Sequence, residues 1–321
     1  MEKFKSQKRE IVAIVGPTSS GKTELAIKLC KKYDGEIISA DSRQIYEYMD
    51  IGTNKTPQNR DYKKYHGFWE IDNIRVWGYD LITPDKEYSA FKYVRYVNSI
   101  LPNINLKKKI FIVGGSGFYL DCLIGKIRLE RAGKSGGLRK DLNKKTTNEL
   151  LQILKDLRFD QPANFDINNR VRLIRAIEKL QSPILNKEGK ATKKSTDFIT
   201  GNITTKSIIG LTAPREYLYD RADAWVDYIW GDNFYSELQG LISRGYDNYP
   251  AFQGLIYKQG LNYYKGLNSL EETLSLSKFA VHAYIRRQQT WFKRNKDIIW
   301  FDLSNGSKLS SNMIKIENLL K

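Results

Sequence analysis

With 321 residues, the chain can bury a substantial core and hold two or three domains of ordinary size. A formal net charge of +17 points to a polyanionic partner, with surface lysine kept for solubility as the alternative; 12% aromatic residues and only 8 prolines exclude a disordered tail as carrier of that charge. The cysteines, Cys30 and Cys122, sit in apolar helical patterns without CxxC spacing, which excludes a disulfide scaffold or zinc ribbon and fits a reducing compartment. The N-terminal MEKFKSQKRE is basic, but the apolar run behind it is too short for a signal-peptide core or a membrane span, so a cytoplasmic protein without membrane association is expected.

Ile11–Val15 is continuous and apolar and predicts a buried strand. It runs into Gly16, Pro17, Thr18, Ser19, Ser20, Gly21, Lys22 and Thr23, which fit G-x-x-x-x-G-K-[ST] at every fixed position and precede an amphipathic helix carrying Leu25, Ala26 and Leu29. Gly16 and Gly21 permit a tight turn whose N–H groups point inward, and the helix adds the positive end of its dipole. Lys22 supplies a point charge, and the Thr23 hydroxyl suits a magnesium ion. This is a phosphate-binding loop, and it leaves open whether phosphate is transferred, hydrolysed or expelled.

Glu36–Asp41 predicts a second strand with Asp41 at its carboxyl end, where ligands bind in open α/β sheets. Asp41 followed by Ser42 also reads as a helix N-cap, and spacing does not separate the two. Tyr62–Leu81 holds short aromatic-rich pieces without an assignable period, and Tyr88–Leu101 is an amphipathic helix with Phe91, Val94, Val97 and Leu101 on one face. Ile110–Val113 predicts a third buried strand ending in Gly114-Gly115-Ser116-Gly117; such a turn lets backbone approach a ligand, and a bare strand-to-helix turn has the same composition. The strand ends in Gly where a nucleotide hydrolase usually has a magnesium-binding Asp, and Asn54-Lys55-Thr56-Pro57 lacks the final Asp of a guanine-specificity loop, which lowers the hydrolase and GTPase readings.

Residues 125–200 carry 18 Lys/Arg against 9 Asp/Glu, with helices expected over Thr147–Leu157 and Asn168–Leu180 and an exposed loop over Lys187–Lys194. A nucleic-acid-facing insertion is the favoured reading and a charged lid the alternative. Lys206–Thr212 predicts a return to the sheet, then come helices from Pro214 through Trp230 and on to Arg244, a long helix over Ser269–Asn295, a last strand over Ile298–Leu303 and a final helix. The long helix has acids early and Arg286, Arg287 and Arg294 late; interleaved Tyr284, Trp291 and Phe292 make one face suitable for stacking and phosphate contact.

Taken in order, GPTSSGKT, ISADSRQIY with MDIGTNK, IFIVGGSGFY, NNRVRLIRAIE, and RRQQTWF followed by IIWFD resemble the tRNA dimethylallyltransferase, or isopentenyltransferase, family. The resemblance implies an α/β fold: a P-loop NTPase-like parallel-sheet core, residues 1–124 and 196–321, with a mostly helical tRNA-binding insertion, 125–195. It implies transfer of a dimethylallyl group from its diphosphate to N6 of adenosine 37 beside the tRNA anticodon, with Mg2+, by a monomer. Lys22 and Thr23 match the family's diphosphate-binding pair, Lys22 with a catalytic part and Thr23 as metal ligand, and Arg221 matches an arginine near the diphosphate. Asp41 matches the general base, Ser116 stands where the family more often has Thr beside the target amine, and Ser42 and Gln44 join Asp41 on the tRNA side. The insertion's Arg170, Arg172 and Arg175 and the late helix's Arg286, Arg287 and Arg294 are expected to grip the anticodon stem-loop, some of them tied up in intramolecular pairs. Gln181-Ser182-Pro183 replaces the family's Thr-Gly, His282 stands for a usual arginine and Ile256 for a glycine, and the missing C-terminal zinc finger of eukaryotic relatives implies the bacterial type. A small-molecule or nucleoside kinase and a tRNA-binding paralogue without transferase activity remain alternatives; a sibling acting on free nucleotide would not need the basic insertion.

Overall fold

The computed structural model describes residues 8–57, 59–129, 136–162, 165–181, 200–231, 233–304 and 306–321. Apolar runs without alternation suit strands covered on both faces, and three such runs form the middle of the sheet. The strands are β1 (Arg9–Val15), β2 (Gly35–Ser39), β3 (Tyr62–Tyr65), β4 (Phe68–Ile71), β5 (Ile74–Trp77), β6 (Lys109–Gly114), β7 (Ile203–Thr212) and β8 (Ile298–Asp302), ordered β3-β4-β5-β2-β6-β1-β7-β8. From β5 to β8 every pairing is parallel, and β4 and β3 extend the sheet as an antiparallel meander. The meander accounts for the unassigned stretch Tyr62–Leu81. All of β3 is exposed, so it shows no inside–outside alternation, and its neighbours span four residues each.

The chain divides into two compact units, Met1–Ile127 with Thr200–Lys321, and Arg128–Ile199. The first boundary falls slightly beyond the expected residue 124, because Ile127 N–H still bonds to Asp121 O at 3.0 Å. The second falls beyond residue 195, and Thr200 O accepts from Asn98 Nδ2 at 2.9 Å in the first unit.

In the first unit α1 (Lys22–Tyr33) follows β1, and α2 (Ala90–Ile100) and α3 (Gly117–Leu123) flank β6. Helix α2 begins where Ser89 accepts the Lys92 N–H, two residues inside the predicted start at Tyr88. The second unit packs α4 (Gly136–Lys144), α5 (Thr147–Asp156) and α6 (Arg170–Leu180) around Leu142, Leu150, Leu154, Leu173 and Ile177. The loop expected at Lys187–Lys194 lies outside the described residues.

After β7 come α7 (Arg215–Gly231), α8 (Phe234–Ser243), α9 (Leu255–Tyr264) and α10 (Leu270–Phe292), which share a core containing Leu218, Phe234, Phe252 and Ile285. Helix α11 (Gly306–Asn318) returns to the sheet, where Ile316 joins Leu25 and Leu29 of α1 against Ile14, Phe111 and Leu211. No described helix is long and apolar enough to cross a membrane.

Candidate active site

Three neighbouring strands, β2, β6 and β1, end side by side, and the loops that leave them make the floor of one cavity of about 640 Å3. The P-loop follows β1, Asp41 follows β2, and Gly115-Ser116 follows β6 between them. The first wall is the loop Gly52–Lys55, and the others come from α7 with Arg221 and Trp225, from the Gly254–Tyr257 segment, and from α10 with Val281, Tyr284 and Gln288.

Gly16 has φ 144°, and a Cβ there would meet Leu211 O at 2.3 Å; Gly21, at φ 87°, turns the chain into α1. Ser19 is also left-handed, at φ 65°, so the loop curls its amides inward, and the first N–H groups of α1 have no intrahelical partner. Lys22 folds over the loop and donates to Pro17 O at 2.6 Å. Burial lowers its ammonium to about 8, opposed by the negative charge of Asp41. The Ser20 hydroxyl is buried with no partner among the described residues. Thr23, on the first turn of α1, is exposed at the cavity.

Burial raises the Asp41 carboxyl above the usual aspartate range, while backbone N–H groups of Arg43 and Gln44 and the charges of Lys22 and Arg43 pull the other way. Its Oδ1 accepts the Arg43 N–H at 2.8 Å, so the capping reading survives in part, as a turn and not as a helix N-cap. Ser116 lies behind this turn: its Oγ accepts the Ser42 N–H at 2.9 Å, approaches Ser42 Oγ at 3.2 Å and contacts the Tyr284 hydroxyl. Ser116, expected beside the target amine, braces the loop that carries Asp41. Gln44, expected to face tRNA, lines the cavity with its amide engaged: Nε2 donates to Thr53 O and Asn54 O, and Oε1 accepts from Ser39 Oγ at 2.9 Å.

Several contributors were not singled out from the sequence. Arg43, inside the ISADSRQIY block, lines the cavity and donates to Ala251 O at 3.2 Å. Lys55 of MDIGTNK is 1% exposed and lies between Asp50 and Asp80, 2.5 Å from each carboxylate, while donating to Tyr46 O at 2.7 Å. Glu237 accepts the N–H groups of Asp50, Ile51 and Gly52 at 2.8, 2.7 and 3.2 Å and the Tyr257 hydroxyl at 2.7 Å, so it clamps the same loop from α8. Gln288 receives the Thr18 N–H and reaches Gly115.

The predicted arginines separate into different environments. Arg221 is exposed at the cavity and donates to Tyr217 Oη at 3.3 Å. Arg286 and Arg287 are exposed on α10, the first bonded to Tyr219 Oη at 3.0 Å and the second over the Tyr284 ring; Arg294, just after α10, lies over Trp291. Within the second unit Arg172 is exposed and Arg170 donates to Asn143 O at 3.3 Å. Arg175 is committed to the buried Glu178 at 3.1 Å, which Arg139 also approaches at 3.5 Å. His282, in place of the family's arginine, meets Asp223 at 2.7 Å and stacks on Tyr219.

Among the described residues no group of three His, Cys, Asp or Glu could hold a metal ion. The Thr23 hydroxyl, exposed at the cavity, is the group that would hold a magnesium ion, a hard cation that takes oxygen ligands.

The family model for IPP transferase matches residues 44–295. A tRNA dimethylallyltransferase of Acetivibrio thermocellus is 35% identical over 320 residues, 96% of each chain. The crystal structure of a full-length tRNA isopentenylpyrophosphate transferase from Bacillus halodurans superposes with a TM-score of 0.67 at 29% identity, covering 98% of this chain and 97% of that one. A eukaryotic dimethylallyltransferase acting on tRNA has the same fold, with a TM-score of 0.72 at 22% identity, covering 97% and 79%.

Proposed function

Since the chain belongs to the IPP transferase family, we propose that it transfers a dimethylallyl group from dimethylallyl diphosphate to N6 of an adenosine in tRNA, at position 37 beside the anticodon, and releases diphosphate. The observation that carries this reading is one cavity with a phosphate-binding loop at the end of β1 and a part-buried carboxylate, Asp41, at the end of β2, one strand removed. The strand between them ends in Gly114 and offers no acid to a hydrolytic metal, which favours a diphosphate bound as leaving group.

Asp41 is too weak a base to take a proton from a neutral adenine amine before bond formation. It works late. As N6 attacks the allylic carbon the nitrogen becomes cationic and acidic, and the carboxylate both stabilises that charge and accepts the proton. Lys22 and the loop amides stabilise the charge that builds on the departing diphosphate. A magnesium ion held by Thr23 would neutralise further diphosphate charge when bound. Ser116 keeps the Asp41 turn in place through Ser42.

An adenine stacked in an anticodon loop must be flipped to enter the cavity, at a cost of a few kcal/mol repaid by backbone contacts. Arg286, Arg287 and Arg294, and Arg170 and Arg172 of the second unit, are the proposed sources of those contacts. Incubation with radiolabelled dimethylallyl diphosphate and unmodified tRNA tests the reading. Label appears in tRNA if it is right; phosphate transfer from ATP would mean a kinase, and tRNA binding without transfer a diverged paralogue.

A further inference from the structure

We propose that Gln288 is a positioning residue that fixes the spacing between the donor-binding loop and the acceptor turn; this rests on the transferase reading above. Strands β1 and β6 are paired as far as Val15 and Gly114, and there the ladder ends. Both functional loops begin at that point and share no further main-chain bond across the gap among the described residues. Gln288 spans it. Its Oε1 accepts the Thr18 N–H at 2.8 Å, and its Nε2 donates to Gly115 O at 3.1 Å. A primary amide has a donor and an acceptor side by side, whereas a carboxylate has only acceptors and an ammonium only donors.

The fit is close on both sides. Gln288 is 4% exposed, and a Cβ on Gly115 would lie 2.0 Å from its Nε2, so a side chain there would push the amide out of its place. Two further residues of α10 touch the same turn about one helical turn away on either side. Tyr284 meets Ser116, and Trp291 packs on Gly117 and donates to Asp121 at 2.8 Å. A continuous chain of bonds thus links Thr18 through Gln288 and Gly115-Ser116 to Ser42 and Asp41.

In the transfer, the N6–carbon bond forms while the carbon–oxygen bond to diphosphate breaks; its electron pair leaves with diphosphate, and the N6 proton passes to Asp41. Water is the competing nucleophile. Its attack on the same carbon, with loss of one proton, yields the prenyl alcohol and diphosphate. Exclusion of that reaction depends on the donor carbon and N6 meeting in near-attack geometry, which the Gln288 bridge sets through the two loops.

The test measures prenylated tRNA and released diphosphate in parallel for wild type, Gln288→Ala and Gln288→Glu. Gln288→Ala is expected to lower transfer by roughly 10- to 100-fold, as for a misplacement of about 1 Å. Its donor and tRNA affinities, measured separately, should stay near wild type, and it should release more than one diphosphate per prenyl transferred. Gln288→Glu keeps the acceptor for Thr18 but opposes Gly115 O with a second acceptor until it is protonated, and burial raises its carboxyl pKa. Its transfer relative to wild type should therefore recover as pH is lowered from about 8 to about 6, which loss of packing alone would not produce. Should the alanine variant fail to fold, the isosteric glutamate carries the test. Full coupling at near wild-type rate in Gln288→Ala, or a Gln288→Glu profile parallel to wild type, overturns the assignment. A wild-type protein that makes no prenylated tRNA at all defeats the transferase reading itself, and this inference with it.

Discussion

Replacing Asp41 by asparagine separates the turn that its carboxylate holds from the base role proposed for it. Oδ1 accepts the Arg43 N–H at 2.8 Å, and asparagine can keep that turn with its own carbonyl oxygen. What it loses is the negative charge facing Lys22 and the capacity to take a proton. If Asp41 is the base, transfer should fall by roughly two to four orders of magnitude, or about 2.7–5.4 kcal/mol of barrier. Alanine additionally removes the turn, at a cost of about 0.5–2 kcal/mol in stability, with little further effect on rate. Asn and Ala should therefore be equally slow within a few-fold, with Ala the less stable.

If Asp41 only shaped the turn, Asn would approach wild type and Ala alone would suffer. The assay is single-turnover transfer of labelled prenyl to tRNA at saturating donor, with donor affinity determined separately. A pH near 6.5 is preferable, because loss of the Asp41 charge pulls the Lys22 ammonium below its value of about 8 and would weaken donor binding at higher pH. An Asp41→Asn protein that keeps more than roughly a tenth of wild-type transfer would refute the base assignment.

The two shifted groups predict a bell-shaped profile of kcat/KM, rising with pH as Asp41 ionises, above the usual aspartate range, and falling above about 8 as Lys22 loses its proton. Bound diphosphate should move the basic limb of kcat upward, and Asp41→Asn should abolish the acid limb; steady-state rates across pH check both. Ser116→Thr keeps the hydroxyl that accepts the Ser42 N–H and should retain most activity, whereas Ser116→Ala leaves that N–H unpaired at a cost of about 1 kcal/mol and should lower kcat more than donor affinity. Removing Arg287 or Arg294 should reduce the slope of log affinity for tRNA against log salt by roughly one each, measured by filter binding. Arg175→Ala should instead lower the melting temperature and leave that slope nearly unchanged, because its charge already serves Glu178.

How far the sequence could be read depended on whether each signal was local. The P-loop, the three central strands and Asp41 lie in unbroken stretches whose chemistry is self-contained, and the structure places them at adjoining strand ends. Helix α9 was missed because QGLNYYKG mixes polar residues with a glycine; a Cβ on Gly260 would lie 3.0 Å from Leu238, a contact invisible before folding. Charge patterning proposed six arginines for one purpose, and only the fold shows Arg175 paired with a buried acid and Arg287 exposed. Lys55 read as part of a loop, yet it is the buried centre of an ion cluster whose acids come from Asp50 and Asp80. Gln288 read as one polar residue in RRQQTWF; its partner Thr18 is 270 positions away in sequence.

The strand order also imposes a hazard on the nascent chain. β1 lies between β6 and β7, and the whole second unit is synthesised between those two partners. At about 5–20 residues per second, the wait between finishing β6 and starting β7 lasts several seconds or more. Throughout it, a half-built sheet presents the apolar β1 as an open edge, the kind of surface that recruits other chains. Ribosome-bound fragments ending before Ile203 should accordingly be the species that holdase chaperones retain, and they should be released once β7 has emerged and sealed that edge.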